Sequence, residues 1–570
     1  MNQTPATAAD TGTQRRRDLF FPSTAWGFLI AITLYVSYFS HLGAFGFIGP
    51  DEPRYAWIAR DMAESGDWVT PRLYGKPWFE KPVLYYWAAA VTFKLFGVSE
   101  TTARLPGGLF ALMATMALSW LALRLDGWEF ACWVLLLMPT AVGMIGFSHA
   151  AAPDMPFAAT LAAAMVCAAV ALEVVPGGGG VSVKELAVAS QVKDDEVIVG
   201  EAGTEEFARI SKVSRSIALV LFGFFLGAAV LAKGPAAIIL AGAGTFLWAA
   251  FTGRWREASH LFHPAAAAAF LLTSLPWYVL CARRNPEFFR VFIIEHNFRR
   301  YLTPEFQHLQ PIWFYIPITL IALLPWTVWL GWYALRETRA SLSEAPRLLL
   351  LFVAAWAIFP VVFFSLSKSK LPGYILPAVP PLVFLIAAAV KQSIRSQQHF
   401  SRYALGAPGL FFMASACWAA FSKTKGSLVV VFVVFAVLGG LAVVFLAVKR
   451  RAHAALVASV IGLLLLLSAV YVSISKLDAQ LSAREAAAHI GVARAAGTYA
   501  FKLQRSSQYQ LNFYLHREIP EWSPALIGDA IVVTNEKHLE ELRNIAQIVA
   551  VISDASPQAE IIAVRPLPLP

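Results

Sequence analysis

Charged residues are scarce in this chain. Asp, Glu, Lys and Arg together make up 14% of its 570 residues, whereas a typical soluble domain carries about 25%. A disordered chain requires few apolar and many charged residues, and a nucleic-acid-binding domain requires a dense basic surface. The composition therefore excludes both classes, together with an ordinary soluble enzyme, and no nucleic-acid partner is expected.

Cysteine is also rare, and no two cysteines stand in a C-x-x-C spacing. The four residues are Cys132, Cys167, Cys281 and Cys417, each in or at the edge of an apolar segment. This spacing gives neither a zinc motif nor a disulfide framework. We expect all four to be small core residues.

Apolar residues are abundant, at 58% of the chain, against about 45–50% in soluble domains. They gather into runs that approach the length of about 20 residues needed to span a membrane. The candidate runs are 24–45, 82–97, 104–123, 128–147, 155–175, 216–232, 234–252, 264–282, 312–334, 347–366, 372–390, 403–421, 427–447 and 455–473.

The run 82–97 differs from the others because it is short, follows Lys81 and contains Lys94. Suppose that 82–97 does not cross the membrane and that residues 1–23 are cytoplasmic. The clusters of Lys and Arg later in the chain then also face the cytoplasm, as the positive-inside rule requires. Arg15–Arg17 then act as an orientation signal rather than as part of a cleaved signal peptide. We therefore predict a polytopic helical bundle of about 13 transmembrane helices.

This topology divides the chain into a transmembrane domain, residues 24–473, and a C-terminal domain, residues 474–570. The loop 176–214 is then cytoplasmic, and the loops 46–103 and 283–311 lie on the outer face with the C-terminal domain. Alternating patterns in that domain predict a small α/β fold, for which we expect a lid or docking role. The predicted strands are 498–503, 529–534, 547–553 and 561–565, and the predicted helices are 485–489 and 537–545.

The first outer loop contains two adjacent carboxylates, Asp51 and Glu52, directly after a Gly-Pro pair. Pro53 can start a helix, since the first turn of a helix needs no proline N–H. The two acids would then stand at the positive helix end, with Arg54 one turn away. This pattern fits a helix cap with an interfacial ion pair, and it fits a catalytic acidic pair equally well.

Other charged residues are predicted on the same outer face. Asp154 could merely cap a helix, or it could serve a function as an ionisable group at membrane depth. Lys81 could snorkel to the interface or bind a phosphate, and a single histidine such as His296 is more often structural than a ligand. The further candidates are Glu80, Lys233, Arg299, Lys368 and Lys370. Because outer cations oppose the positive-inside trend and bind phosphate, we infer an anionic, lipid-linked substrate.

At these residues the chain resembles the lipid A aminoarabinose transferases of the GT-C superfamily, which are related to protein O-mannosyltransferases. The resemblance covers the membrane part and only weakly the C-terminal domain. The motifs that carry it are Asp51–Ala56, Gly66–Trp68, Phe79–Pro82, Lys233-Gly234, Glu295-His296 with Arg299, Trp313–Pro317 and Ser367–Leu376. It implies a GT-C-type bundle with juxtamembrane helices in the first periplasmic loop.

The resemblance also implies a glycosyltransferase of the bacterial inner membrane. The donor would be undecaprenyl phosphate carrying 4-amino-4-deoxy-L-arabinose, and the acceptor a lipid A phosphate on the periplasmic face, which gives resistance to polymyxin. The implied catalytic residues are Asp51, Asp154 and Glu52. The implied donor-phosphate ligands are Arg54, Tyr55, Lys81, Lys370 and Tyr374, and weaker substrate contacts are assigned to Glu80, Lys233, His296, Arg299 and Lys368.

No cofactor is required by a donor that lacks a diphosphate. Glu80 with a histidine could hold a divalent metal, although the spacing does not show such a site. We expect a monomer in contact with membrane lipids.

Three other functions compete with this interpretation. A GT-C transferase could move another sugar from a polyprenyl phosphate to protein or polysaccharide. A transporter is disfavoured because its ionisable residues should lie at mid-span, whereas these gather at span ends. A purely structural membrane protein would not explain the outer cations.

Overall fold

Most of the chain folds into long helices, as the apolar runs predict. The computed structural model describes residues 24–175, 201–302, 309–335, 344–396, 401–421, 427–476, 478–491, 497–524, 529–553 and 560–566. The predicted cytoplasmic segment 1–23, residues 176–200 of the predicted loop 176–214, and residues 303–308 of the loop 283–311 lie outside the described residues.

The membrane part contains the following elements in chain order: α1 (Thr24–Tyr38), α2 (Asp51–Ser65), β1 (Arg72–Leu73), β2 (Lys76–Pro77), α3 (Leu84–Phe96), α4 (Glu100–Leu137), α5 (Val142–Ser148), α6 (Asp154–Ala171), α7 (Glu201–Lys233), α8 (Ala236–Thr252), α9 (Trp255–Ser259), α10 (Pro264–Arg284), α11 (Arg300–Leu302), α12 (Tyr315–Ala322), α13 (Val328–Leu335), α14 (Glu344–Leu366), α15 (Val379–Ser396), α16 (Ser401–Phe421), α17 (Ser427–Val448) and α18 (Ala452–Lys476). A π-helix, Arg290–Arg299, precedes α11, and a 3-10 turn, Pro372–Ala378, leads into α15.

Eight of the described helices are long and apolar enough to cross a membrane. These segments are Glu100–Leu137, Asp154–Ala171, Ser214–Lys233, Pro264–Arg284, Arg347–Leu366, Pro372–Ile394, Arg402–Ala420 and Ala452–Ile474. Shorter apolar helices accompany them, namely Thr24–Tyr38, Ala236–Thr252, Ile312–Ala322 and Phe432–Val448. The chain is therefore a multi-pass helical membrane protein, but fewer helices meet the length criterion than the predicted number of about 13 spans.

Two predicted spans, 104–123 and 128–147, have different bounds in the structure. Helix α4 covers the first and part of the second, and its backbone leaves the helical region at Asp126 and Gly127, within the predicted gap between the two spans. Gly127 has a φ of 79°, which glycine adopts without the steric cost of a Cβ. The end of the second predicted span is the separate short helix α5.

The predicted span 312–334 is also divided, into α12 and α13. Pro325 lies between the two helices, and proline lacks the N–H that would continue a helical hydrogen-bond ladder. A hydrophobic run alone cannot reveal such an interruption, because the residues on both sides remain apolar.

The first outer loop is itself well structured. Helix α2 ends at Ser65 and is capped by Gly66, which has a φ of 74°. The hairpin β1–β2 turns at Tyr74 and Gly75, both with positive φ, at 52° and 77°, as a two-residue type I′ turn requires. Helix α3 has 13 residues and is therefore about 20 Å long. This is shorter than the roughly 30 Å of a bilayer core and fits the prediction that 82–97 does not cross the membrane.

The C-terminal residues contain a four-stranded sheet with short helices around it. The elements in chain order are α19 (Asp478–Leu481), α20 (Arg484–Ile490), β3 (Thr498–Ala500), α21 (Arg505–Tyr514), β4 (Ala530–Thr534), α22 (Leu539–Ile545), β5 (Ala546–Ser553) and β6 (Glu560–Pro566). The strand order is β3-β4-β6-β5, and only β3 and β4 are parallel. Strands lie at all four predicted positions, whereas α21 was not predicted, because its buried face carries the polar residues Gln510 and Asn512.

The C-terminal residues pack directly on the chain that enters the first outer loop. The backbone N–H of Gly46 donates to the Asp478 carboxylate at 2.6 Å, and that of Phe47 donates to the Tyr514 hydroxyl at 3.0 Å. A Cβ at position 46 would lie 2.4 Å from the Ser482 Oγ. Only glycine therefore permits this close approach.

Candidate functional site

The first turn of α2 carries the acidic pair predicted from the sequence. Asp51 begins the helix, where the positive end of the helix dipole favours an acid, and its side chain is 54% exposed. One turn later, Arg54 Nη2 lies 2.5 Å from the Asp51 Oδ1. The ion pair expected from the spacing is therefore present, with its carboxylate open to the outside of the protein.

Arg54 links this open carboxylate to a second, more enclosed one. Its Nη2 also lies 3.0 Å from Glu80 Oε2, and Glu80 Oε1 lies 3.6 Å from Lys81 Nζ. Burial alone would lower the pKa of Arg54, but Glu80, Tyr55 and Asp51 outweigh it, and the pKa is raised. Two acids and two cations therefore form one compact cluster of charges, which we call the Arg54 cluster: Asp51, Arg54, Glu80 and Lys81.

Aromatic rings surround the guanidinium of Arg54. Its Cζ lies 5.3 Å from the ring centroids of Tyr55 and Trp78, and 5.8 Å from that of Tyr509. Such contacts hold a planar guanidinium while leaving its N–H edge free to bind oxygens. Tyr55 is itself buried, and burial raises the pKa of its hydroxyl, which thus stays protonated and able to donate.

Glu52, the neighbour of Asp51, has a different environment. Its carboxylate accepts from Arg104 Nε at 3.0 Å and Nη2 at 2.8 Å, and also from the backbone N–H groups of Ile48 and Ala151, each at 2.8 Å. Four donors already occupy this carboxylate, so its geometry fits a role in holding the loop before α6 against α2. The catalytic role assigned to Glu52 from the resemblance stays a prediction.

Asp154 forms a second charged pair, at the start of α6. Its Oδ1 lies 2.6 Å from Lys233 Nζ, and that ammonium lies 4.7 Å from the Tyr374 ring centroid and 5.5 Å from that of Phe157. Gly373 approaches the same carboxylate so closely that a Cβ there would lie 2.7 Å from Asp154 Oδ1. Three predicted site residues from distant parts of the chain are thereby brought together.

Lys370 is held by backbone oxygens. Its Nζ donates to the carbonyls of Ser367 at 2.5 Å and Gln310 at 3.1 Å. Burial, and then the charge of Lys368, lower the pKa of Lys370. The backbone N–H of Lys368 donates to the carbonyl of Tyr301 in α11 at 3.0 Å. The Lys370 side chain and the Lys368 backbone therefore tie the 367–371 segment to Gln310 and Tyr301.

A cavity of about 560 Å³ opens beside the Arg54 cluster. Its lining residues are Pro77, Trp78, Phe79, Glu80, Arg284, Asn285, Pro286, Glu287, Arg290, Val291 and His296. Glu80 and His296, which the sequence analysis proposed separately, therefore line the same cavity. Within the described residues no group of three or more His, Cys, Asp or Glu side chains could hold a metal ion, and Arg299 is exposed on the π-helix.

Contacts between distant segments were missed by the sequence reasoning. Arg104 had one available signal, since a charged residue at the start of an apolar run is costly and needs a partner. No signal in the sequence points to the ion pair between Asp67 and Arg284, whose atoms are 3.0 Å apart, or to the contact of Tyr509 with Arg54. Each of these joins residues that are far apart in sequence. Only the tertiary structure brings these side chains to the site.

Residues 24–173, which include α2 and both acidic positions Asp51 and Asp154, match the family of dolichyl-phosphate-mannose-protein mannosyltransferases. The chain is also similar to two proteins named undecaprenyl phosphate-alpha-4-amino-4-deoxy-L-arabinose arabinosyl transferase. One, from Edwardsiella ictaluri, is 31% identical over 60% of this chain, and one from Pseudomonas aeruginosa is 31% identical over 64%. The chain spans 55% and 60% of the length of these relatives.

Two crystal structures of ArnT from Cupriavidus metallidurans have a similar fold over almost the whole chain. The structure bound to undecaprenyl phosphate gives a TM-score of 0.75 at 22% identity, and the apo structure gives 0.73 at 23%. Each comparison covers 95% of this chain and 98% of the ArnT chain. The chain therefore has the fold of ArnT, as the resemblance led us to expect.

Proposed function

We propose that this protein is a glycosyltransferase that moves 4-amino-4-deoxy-L-arabinose from undecaprenyl phosphate to a phosphate of lipid A. The Arg54 cluster carries this proposal, because it holds a buried guanidinium and an ammonium beside a cavity of about 560 Å³. We propose that this part of the bundle is its outer end. The aminoarabinosyl transferase relatives and the ArnT fold support the choice of sugar and lipid.

The reaction consumes negative charge at the acceptor phosphate and produces negative charge at the donor phosphate. An oxygen of the acceptor phosphate attacks the anomeric carbon, and the bond from that carbon to the donor phosphate oxygen breaks with its electron pair left on the phosphate. Cations placed where this charge develops lower the barrier, and we assign that role to Arg54 and Lys81 with the Tyr55 hydroxyl. The acceptor phosphate is already ionised, so no strong general base is needed.

The exposed Asp51 then stands where the sugar meets the acceptor. Its carboxylate suits the amine of the donor sugar or the positive charge that develops on the sugar ring. Asp154, paired with Lys233 beside Tyr374, is the second candidate for these tasks. Lys370 and Lys368 support the outer 367–371 segment and, with Glu80, His296 and Arg299, complete the proposed substrate surroundings.

The proposed topology follows from the charge distribution. About 13 transmembrane helices would cross the bacterial inner membrane, with the N-terminus cytoplasmic and the site and residues 474–570 periplasmic. Transfer needs no cofactor because the donor lacks a diphosphate, and the protein is proposed to act as a monomer. A product with a masked lipid A phosphate would bind polymyxin and other cationic peptides less well.

A transfer of another sugar to protein or polysaccharide is the second candidate. The match of residues 24–173 to the mannosyltransferase family favours it, since that match includes the whole first outer loop.

The test uses a host that lacks its own transferase but makes the donor lipid. Wild type, Asp51→Asn and the exposed C-terminal control Glu540→Gln are expressed, and membrane insertion, lipid A masses and polymyxin survival are measured. We expect an added aminopentose with wild type and Glu540→Gln and none with Asp51→Asn. Unmodified lipid A with well-inserted wild type would reject the lipid A acceptor and favour the second candidate.

A further inference from the structure

The ring of Tyr509 extends from the C-terminal residues to the Arg54 cluster. Arg54 is only 6% exposed, and Tyr55 and Trp78 supply two of the rings around it from the first outer loop. The third ring, from Tyr509, belongs to α21, with its centroid 5.8 Å from the Arg54 Cζ. A single side chain thus connects the C-terminal sheet region to the proposed donor-phosphate site.

Several contacts fix the Tyr509 ring in this place. The Tyr509 hydroxyl accepts from Arg505 at 3.2 Å, and its ring lies 6.3 Å from that of Tyr74 on the β1–β2 turn. The ring is therefore held at both ends, by a cation at its hydroxyl and by a neighbouring aromatic side chain.

Helix α21 is also tied to the helix that carries Arg54. Arg60 of α2 bonds to the His516 Nδ1 at 2.5 Å and donates to the Phe513 carbonyl at 3.5 Å. The Tyr514 hydroxyl donates to Glu100 at 2.8 Å. Because α21 is anchored to α2 itself, the distance between Tyr509 and Arg54 is fixed by short-range contacts rather than by the long intervening chain.

We propose that Tyr509 is a positioning residue, which holds the Arg54 guanidinium in the orientation that binds the phosphate of a lipid-linked donor. Arg54 Nη2 is attracted by two carboxylates, Asp51 and Glu80, and either could turn the guanidinium away from an incoming phosphate. Rings against its face restrain that rotation and leave the N–H edge available. The inference rests on the proposed function and gives α21 a part in donor binding.

The experiment compares the wild type with four full-length variants in detergent or nanodiscs. Tyr509→Phe keeps the ring, Tyr509→Leu removes it, and 3,4,5-trifluorophenylalanine at position 509 keeps the shape but withdraws electron density from the ring face. Tyr403→Leu is the matched control, because Tyr403 also lies under an arginine, Arg402 at 4.8 Å, but is 61% exposed. The readouts are the Kd for undecaprenyl phosphate, the KM and kcat for transfer, and the thermal midpoint.

Removing or fluorinating the ring should weaken donor binding about tenfold, the size expected for a desolvated cation–π contact. The KM should rise by the same factor while kcat and the thermal midpoint change little. Tyr509→Phe and Tyr403→Leu should bind as wild type does. If Tyr509→Leu does not fold, the fluorinated variant decides, since its shape is preserved.

Wild-type affinity in the fluorinated variant would overturn the proposal. So would equal losses in Tyr509→Phe and Tyr509→Leu, since they would assign the effect to the Arg505 hydrogen bond rather than to the ring. A wild type that binds undecaprenyl phosphate without transferring a sugar would reject the proposed function, yet the Kd values would still decide the role of Tyr509. A wild type that does not bind the lipid would overturn both.

Discussion

Glu52 and Arg104 form a two-pronged ion pair at the start of α2, with N–O distances of 3.0 and 2.8 Å. The Arg104 side chain has no exposed surface, and its guanidinium also donates to the carbonyls of Leu42 and Phe45. The acid next to Asp51 in sequence is therefore fully engaged within the protein, whereas Asp51 is open. Two carboxylates adjacent in sequence therefore differ in exposure and in hydrogen bonding because their surroundings differ.

Replacing Arg104 by methionine should destabilise the protein. Loss of one partner leaves the Glu52 carboxylate buried without its countercharge, which typically costs about 3–5 kcal/mol. The free energy of unfolding in detergent, measured by denaturant titration, should fall by that amount. Arg124→Met is the matched control, because Arg124 lies on the same helix, α4, but is exposed; equal losses in the two variants would contradict the assigned role of the pair.

Replacing Arg54 by lysine should reduce donor affinity although the charge is kept. Lysine lacks the planar fork that can bond to two oxygens at once, and one lost charged hydrogen bond of about 1.5 kcal/mol corresponds to roughly tenfold. The KM for the donor lipid should therefore rise by about this factor. An unchanged KM, or an equal rise in the exposed control Arg402→Lys, would argue against a specific role for the guanidinium.

Asp154 and Lys233 should behave as a coupled pair. Their side chains are 19% and 10% exposed, so removal of one leaves the other charge poorly solvated. Asp154→Asn and Lys233→Met should each lower kcat/KM, and the double variant should lose less than the sum of the two free-energy changes. Strictly additive losses in transfer assays would show that the two residues act independently.

Gly373→Ala should disturb the same pair without removing a charge. The added Cβ would lie 2.7 Å from Asp154 Oδ1 and 3.0 Å from the Phe147 ring, so the carboxylate has to move. We expect transfer activity to fall at least about tenfold, since misplacing a positioned group by about 1 Å can be that costly. Gly146→Ala on α5 is the control, because nothing lies within 4 Å of its added Cβ, and activity there should be unchanged.

The sequence predicted the parts of this fold that depend on local patterns. Hydrophobic length located the eight described helices that are long enough to cross a membrane, and alternation located the strands of the C-terminal sheet, because both signals are carried by neighbouring residues. The division of 128–147 near Pro139 and that of 312–334 near Pro325 were missed, since a single proline inside an apolar run leaves the run itself unchanged.

The sequence predicted individual residues of the site but not the contacts between them. Asp51, Arg54 and Glu80 were each identified, and the structure joins them through Arg54. The burial of Glu52 by Arg104 was not foreseen, because a sequence does not show whether an acid meets solvent or a countercharge. The contribution of Tyr509 was not predictable for a similar reason, since the buried face of helix α21 includes the polar residues Gln510 and Asn512.

Lowering the pH should loosen the contact between α21 and α2. Burial, and then the charge of Arg60, lower the pKa of His516, although Glu64 acts in the opposite direction. The unfolded chain, with a histidine pKa near ~6.5, therefore binds the proton more readily than the folded one. This contribution to stability is fully present above about pH 6.5 and is lost as the pH falls below it.

Hydrogen exchange of the α21 amides, corrected for the intrinsic pH dependence of exchange, checks this expectation between roughly pH 7 and pH 5. His516→Asn should remove the pH-dependent loss of protection. Asparagine tolerates the left-handed backbone found there, with a φ of 60°, better than most residues do. His489→Asn on the neighbouring helix α20, where the histidine is exposed, should leave the pH dependence as in wild type. If protection falls with pH in His516→Asn as much as in wild type, other groups at the contact cause the effect. The bond between Arg60 and His516 would then not be its cause.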